Sequence, residues 1–305
     1  MSNTITTAQK SSQSGAAGSP ALKMLIPTGR IQEKVLTLLG QIGINLATKN
    51  RSYKPICSES GIEAKMLKGQ NIPSLIDLGR QDCGFAGDDW VFEQKADIVE
   101  LLDLGFDPVR IIAAVPDELA QQGRDVWMKR KLVIASEYRR LTQRYIETNK
   151  LDAVYLQTFG ATEALPPEDA DLIIDNTATG STLAANRLTI VDELMRSTTR
   201  FICNKAALEN PAKKKALDEI VLLMQSTLRA REKVLIEMNV DKADFERVVA
   251  FVPCMKAPTV SELYGGQGYA IKIAVPSSQV KELIPKLVSL GARDILEYRL
   301  EKIVT

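Results

Sequence analysis

Ala170-Asp-Leu-Ile-Ile-Asp175-Asn-Thr-Ala-Thr-Gly-Ser-Thr182-Leu183 decides the fold class. A short apolar run, Ala170 to Ile174, has the length and composition of a buried strand, and Ser181 to Ala185 opens a helix. Between them lies a turn rich in hydroxyls with one glycine. Backbone N–H groups gathered at a helix N-terminus attract phosphate, and Thr179, Ser181 and Thr182 add hydroxyl donors. Asp175, at the strand end, can accept hydrogen bonds from sugar hydroxyls. The same string also suits an ordinary strand, turn and helix in which Ser or Thr caps free N–H groups.

Outward from this unit, strand-length apolar runs alternate with amphipathic stretches. Leu22 to Pro27 precedes Ile31 to Ile42; Ile62 to Leu67 precedes Ile72 to Leu78; Asp82 to Ala86 precedes Trp90 to Lys95. Val109 to Val115 is a further strand, and a polar stretch from Asp117 to Arg130 separates it from Lys131 to Ser136, Tyr138 to Thr148 and Ala153 to Leu156. Thr199 to Cys203 reads as a strand returning to the first unit. The expected organisation is a disordered tail over 1–20, lobe I over 21–116 completed by 204–230, lobe II over 117–203, and a separate domain over 231–305. The last segment has the order βαββαβ, which predicts a ferredoxin-like fold. Two lobes with crossing connections leave a cleft, where ligands bind in open α/β folds.

Bulk properties exclude several function classes. The 305 residues carry 39 basic and 38 acidic side chains, so no clustered charge marks a nucleic-acid binder. No apolar run is long enough to predict a membrane span, and the Ser- and Gly-rich first twenty residues hold no signal-peptide core, so a cytoplasmic protein is expected. The four cysteines are widely separated and read as reduced thiols. Histidine is absent, which removes serine–histidine and cysteine–histidine catalysis and leaves hard, oxygen-liganded ions such as magnesium as the plausible metals.

The run Asp171 to Asn186, Asp-x-x-x-Asp-x-x-x-Thr-Gly-x-Thr-Leu-x-Ala-Asn, resembles the phosphoribosyl pyrophosphate segment of the ATP phosphoribosyltransferase family. Ile26-Pro-Thr-Gly-Arg30, Gly87-Asp-Asp-Trp90, Ala135-Ser-Glu-Tyr138, Gly160-Ala-Thr-Glu163 and Ala257-Pro-Thr-Val-Ser-Glu-Leu-Tyr-Gly265 resemble the same family in the same order. The resemblance spans Leu22 to Val304. It implies an α/β, two-lobed, periplasmic-binding-protein-like catalytic region followed by a regulatory domain of the family's long form. It also implies condensation of ATP with phosphoribosyl pyrophosphate, with Mg2+ carried on the substrate polyphosphate rather than held by protein side chains.

On the matching positions, Glu163, Asp175 and Arg30 are the expected catalytic residues. Arg51, Asp171, Thr177, Ala178, Thr179, Gly180, Ser181 and Thr182 are the expected substrate contacts. Thr259 and Ser261 are the expected contacts for histidine as an inhibitor, and a homo-oligomer, dimer or hexamer, is implied. Glu163 and the arginines also read as solvated surface charges, and Thr259 and Ser261 as solvent-facing strand hydroxyls. Asp88 and Asp89 read as helix-start acids rather than metal ligands, Trp90 as lobe packing, and at least two of Arg139, Arg140 and Arg144 as a solvated face. The chain departs from the family pattern at Thr28, where Lys is common, and at Asn176, Arg187 and Glu262, where an aliphatic residue, Gly and Pro are usual. Loss of the cation at 28 raises a second reading, a nucleotide-binding paralogue with a regulatory role. A third, an extracellular solute receptor, is disfavoured by the missing signal peptide.

Overall fold

A computed structural model describes residues 21–48, 52–253 and 257–304. The tail expected to be disordered, 1–20, lies outside the described residues. β1 (Leu22–Thr28) opens lobe I, followed by α1 (Gln32–Gln41), a small pair β2 (Leu46–Ala47) and β3 (Ile56–Cys57), β4 (Ile62–Lys68), α2 (Ile72–Asp77), β5 (Cys83–Gly87) and α3 (Asp88–Gln94). Met24, Leu25 and Ile26 of β1 are all fully buried. Met24 and Ile26 pack with α1, while Leu25 packs on the other face with Ile72 and Ile76. A parallel strand covered on both faces needs such a continuous apolar run.

β5 lies so close to β1 that only glycine fits at position 84. A Cβ there would stand 2.8 Å from Leu25 Cβ, 2.9 Å from the Leu25 carbonyl oxygen and 3.1 Å from Ile72 Cγ2. Gly84→Ala is therefore expected to destabilise the fold by about 1–3 kcal/mol through overpacking, measured by urea unfolding. An unchanged midpoint would contradict this packing.

Two long strands, β6 (Val99–Pro116) and, after lobe II, β10 (Leu188–Cys203), run through both lobes. Between them lobe II contributes α4 (Asp117–Gln121), α5 (Arg124–Trp127), β7 (Leu132–Ser136), α6 (Arg139–Asn149), β8 (Ala153–Gln157), β9 (Leu172–Thr177) and α7 (Ser181–Ala185). The result is one eight-stranded sheet in the order β4-β1-β5-β10-β6-β9-β7-β8. Only Val109 to Val115 and Thr199 to Cys203 of the two long strands were expected from the sequence. The rest of β6 carries charges that find a partner only after pairing: Glu100 and Asp103 face Arg200 of β10.

The lobes meet elsewhere than at Pro116. Val109, Ile111, Ala113 and Val115 pack in the lobe II core with Trp127 and Leu172, whereas Phe201 and Cys203 pack in the lobe I core. The crossover falls where β6 turns left-handed at Gly105 (φ 64°) and Asp107 (φ 48°) and where the β6–β10 register shifts between Ser197 and Thr199. Such irregularities bend and twist a strand pair. Asp107 pins this corner to α1 by accepting from Arg30 Nε at 3.0 Å and Lys34 Nζ at 2.7 Å, and those cations hold its carboxyl below the usual range against the opposing effect of burial.

α8 (Lys205–Glu209) and α9 (Pro211–Arg231) return the chain over lobe I, with the Asn210 side chain capping α9 through the N–H groups of Ala212 and Lys213. The C-terminal unit is β11 (Lys233–Asp241), α10 (Phe245–Phe251), β12 (Thr259–Glu262), β13 (Gly268–Pro276), α11 (Val280–Ser289) and β14 (Ala292–Arg299). Its antiparallel sheet has the order β12-β13-β11-β14, the ferredoxin-like arrangement, over a core of its own. Two bonds tie its end back to lobe I: Ile303 N–H to the Ser226 carbonyl and Lys302 Nζ to the Gln41 carbonyl, both 2.9 Å.

Candidate active site

β9 carries Asp175 and Thr177 to the cleft, and the chain then turns through Gly180 in the left-handed region (φ 82°) to begin α7. The residue that caps α7 is this glycine, and the helix has no side-chain cap. The turn's hydroxyls bind one another and the turn backbone instead: Gly180 N–H donates to Thr177 Oγ1 at 3.0 Å, and Thr179 Oγ1 lies 3.0 Å from Ser181 Oγ. Thr179 Oγ1 also accepts from Ser181 N–H at 3.4 Å, so two hydroxyls of the turn hold N–H groups at the start of the helix.

Around the turn lies a cavity of about 390 Å³. Arg30, Glu163, Asp175, Thr177, Ala178, Thr179, Ser181 and Thr182 all line it, and Gly180 shapes the turn beneath. Glu137 also lines it. Its Oε2 accepts from Gln70 Nε2 of lobe I at 2.7 Å. Sequence reasoning gave Glu137 no role, although it lies in the quoted Ala135 to Tyr138 block. Burial, followed by the nearby Glu163 and Glu137 carboxylates, pushes the Asp175 carboxyl up to about 6, despite the opposing hydrogen bond from Asn176 N–H.

Of the expected substrate contacts among the described residues, Asp171 is not in this cavity. Asp171 stands at the far end of β9, about 13 Å from Asp175 at the ~3.3 Å rise of a strand. There its Oδ2 accepts from Val133 N–H at 2.8 Å and its Oδ1 from Arg130, so it fastens the strand rather than facing ligand. Thr259 and Ser261 are exposed on edge strand β12 of the C-terminal sheet, opposite Lys272 and Ala270 of β13. Arg51 lies outside the described residues.

A second chamber of about 220 Å³ adjoins the first and shares Arg30 and Asn176 with it. Thr28 and Trp90 line it. Its floor is a clasp between the lobes. Tyr138, at the start of α6, donates its hydroxyl to Asp89 Oδ2 at 2.8 Å, and Ser197 donates to Asp89 Oδ1 at 2.6 Å. Trp90 stacks on Tyr138 with ring centroids 4.8 Å apart. Glu93 of α3 accepts the N–H groups of Arg140 and Leu141, capping α6 from across the junction.

Asp89 is thus a buried acceptor for two hydroxyls, a role its position at a helix start did not reveal. Of the three arginines of α6, Arg139 and Arg144 are exposed, in line with a solvated face for at least two of them, and Arg140 is half-buried. Arg140 and Arg144 lie over Phe92, and Arg139 over Tyr155, at 4.6, 5.7 and 5.6 Å. Arg187 takes a left-handed φ of 54°, which explains why glycine suits that position.

Fold and cleft together define a two-lobed α/β protein with a hydroxyl-rich glycine turn facing an acidic cavity, followed by a ferredoxin-like domain. The sequence model of ATP phosphoribosyltransferase matches residues 68–226, and that of the HisG C-terminal domain matches 230–302. ATP phosphoribosyltransferase of Thermodesulfovibrio yellowstonii is 38% identical over 289 residues, covering 93% of this chain and 98% of that one. The enzyme of Pelotomaculum thermopropionicum is 36% identical over 93% of this chain and 99% of its own. A solved ATP phosphoribosyl transferase (HisG:HisZ) complex from Thermotoga maritima superposes with a TM-score of 0.59 at 26% identity, covering 67% of this chain and 98% of that one. The chain belongs to the ATP phosphoribosyltransferase family, the pentosyltransferases of histidine biosynthesis.

Proposed function

We propose that the cleft condenses ATP with phosphoribosyl pyrophosphate to give phosphoribosyl-ATP and pyrophosphate. The observation that carries this reading is the convergence of Asp175, the Thr177–Thr182 turn, Glu163 and Arg30 on one cavity. The turn receives the 5-phosphate, and Asp175 accepts hydrogen bonds from the ribose hydroxyls. Adenine N1 supplies the electron pair that forms the new bond to the anomeric carbon, and the carbon–oxygen bond to pyrophosphate breaks. No side chain has to deprotonate the nucleophile first, which suits a chain without histidine. Catalysis then rests on alignment and on charge stabilisation. Glu163 and Glu137 offset positive charge developing on the sugar and base, and Arg30 faces the polyphosphate.

Magnesium enters as part of the substrate. Glu137, Glu163 and Asp175 outnumber Arg30 around the cavity, so a free polyanion would be repelled and its metal complex favoured. Among the described residues, no group of three or more Asp, Glu or Cys side chains is placed to hold a metal. Bound to the pyrophosphate, the ion stabilises the departing charge.

Residues 21–230 form the catalytic region in this reading, and 231–305 a regulatory domain that binds free histidine, with Thr259 and Ser261 as contacts. The enzyme is cytoplasmic and forms a homo-oligomer, a dimer or hexamer. Pyrophosphate release from ATP, phosphoribosyl pyrophosphate and magnesium, followed with and without histidine, tests both parts. Release that histidine suppresses is expected. Full activity at saturating histidine would refute the regulatory assignment, and nucleotide binding without release would favour the paralogue raised by Thr28.

A further inference from the structure

Asn176 lines both chambers and joins their polar groups. Its backbone N–H donates to Asp175 Oδ1 at 2.6 Å. Its side-chain Nδ2 lies 3.3 Å from the same oxygen and donates to the Tyr138 hydroxyl at 3.2 Å. An amide nitrogen has two hydrogens, so it can serve both partners. Tyr138 spends its own proton on Asp89, which leaves its oxygen free to accept from Asn176. Burial, then the neighbouring Asp89 carboxylate, drives the tyrosine pKa far up, so this phenol stays a neutral donor. The aliphatic side chain usual at this position could make neither bond.

We propose that Asn176 is a positioning residue of this chain. It links the clasp between the lobes to the ribose-binding carboxylate, so that the placement of lobe I is felt at Asp175. The two bonds to Oδ1 occupy one carboxylate oxygen and leave Oδ2 for the sugar. The proposal rests on the reading of Asp175 as the sugar-binding group.

The test uses Asn176→Leu, Asn176→Asp and Tyr138→Phe in the full chain, with kcat, each KM, the pH profile of kcat/KM and thermal unfolding. Loss of one hydrogen bond to the ionised Asp175 corresponds to about a 10- to 100-fold fall in kcat/KM for phosphoribosyl pyrophosphate in N176L. KM for ATP and the melting temperature are expected to stay unchanged. Removing a donor from ionised Asp175 raises its pKa, so the acid limb moves to higher pH. The other charged or titratable groups facing it are Glu163, Glu137, Arg30 and, through the amide, Tyr138 and Asp89.

N176D keeps the shape but sets a carboxylate beside Asp175, and its loss should exceed that of N176L. Losses from N176L and Y138F should not add, because both break one link. An N176L enzyme with wild-type kcat/KM and an unmoved acid limb overturns the proposal, as do additive losses. A wild-type protein that releases no pyrophosphate would instead refute the underlying function, and the proposal with it.

Discussion

Asp175→Asn is expected to lower kcat/KM for phosphoribosyl pyrophosphate by about 10²–10³-fold while leaving the fold intact. Hydrogen bonds to a charged acceptor contribute roughly 1.5–3 kcal/mol each, and two ribose hydroxyls can reach one carboxylate. The neutral amide keeps the shape but offers only one weaker acceptor. The loss has a distinctive pH dependence. Asp175 has a pKa of about 6, raised by burial and then, beyond the opposing Asn176 hydrogen bond, by Glu163 and Glu137, so it is ionised and competent above that pH and protonated below it.

The substrate phosphate also titrates near pH ~6. The decisive quantity is therefore the ratio of wild-type to variant kcat/KM, expected to be largest above pH 7 and to shrink below pH ~6. Linkage gives a second readout. A carboxyl whose folded pKa lies above its unfolded one penalises the fold once ionised, so stability falls as pH rises between the two values. The D175N protein without substrate should melt higher than wild type at pH ~8, and the difference should vanish in acid. A lower melting temperature at both pH values would contradict the strained, acidic cavity.

Gly180→Val is expected to remove productive binding of phosphoribosyl pyrophosphate while sparing ATP binding. Gly180 has a φ of 82°, and an added Cβ would meet only Ile190 Cδ1 at 3.9 Å, an ordinary contact. The penalty is therefore conformational. A left-handed backbone costs an ordinary residue about 1–2 kcal/mol, and a branched Cβ is worse tolerated there. The turn would relax towards negative φ, which moves the Gly180 N–H off Thr177 Oγ1 and disperses the donors at residues 177–182. KM for phosphoribosyl pyrophosphate should rise by about two orders of magnitude, with Gly180→Ala intermediate. Equal losses for both substrates would mean that the turn serves the whole cleft rather than the sugar phosphate.

Much of this arrangement is legible in the sequence because it rests on local chemistry. The strand from Leu172, the glycine turn and the helix from Ser181 follow from an apolar run, one residue free to take positive φ, and the residues after it. The ferredoxin-like unit is legible for the same reason, since each strand and helix has its own periodicity. What the sequence hides depends on pairing across distance. Glu100 and Asp103 argue against a strand until Arg200 is seen opposite them. Asp89, Tyr138 and Ser197 are 49 and 108 positions apart, and nothing local marks them as one clasp.

Asp171 illustrates the opposite failure. It shares a motif with Asp175, but four residues of extended strand carry it away from the turn, a separation that strand geometry alone would have supplied. Asn176 stood out as a departure from the family pattern, and its meaning appears only when Tyr138 and Asp175 are seen on either side of it.

The most direct test of the central claim is the identity of the product. With ATP, phosphoribosyl pyrophosphate and magnesium, mass-resolved analysis should find one phosphoribosyl-ATP for every pyrophosphate released, and no release without ATP. Pyrophosphate accompanied by free ribose 5-phosphate would show transfer to water, and binding of both substrates with no pyrophosphate would show a cleft that holds them without reaction. Either result would contradict a cleft built to align adenine N1 with the anomeric carbon.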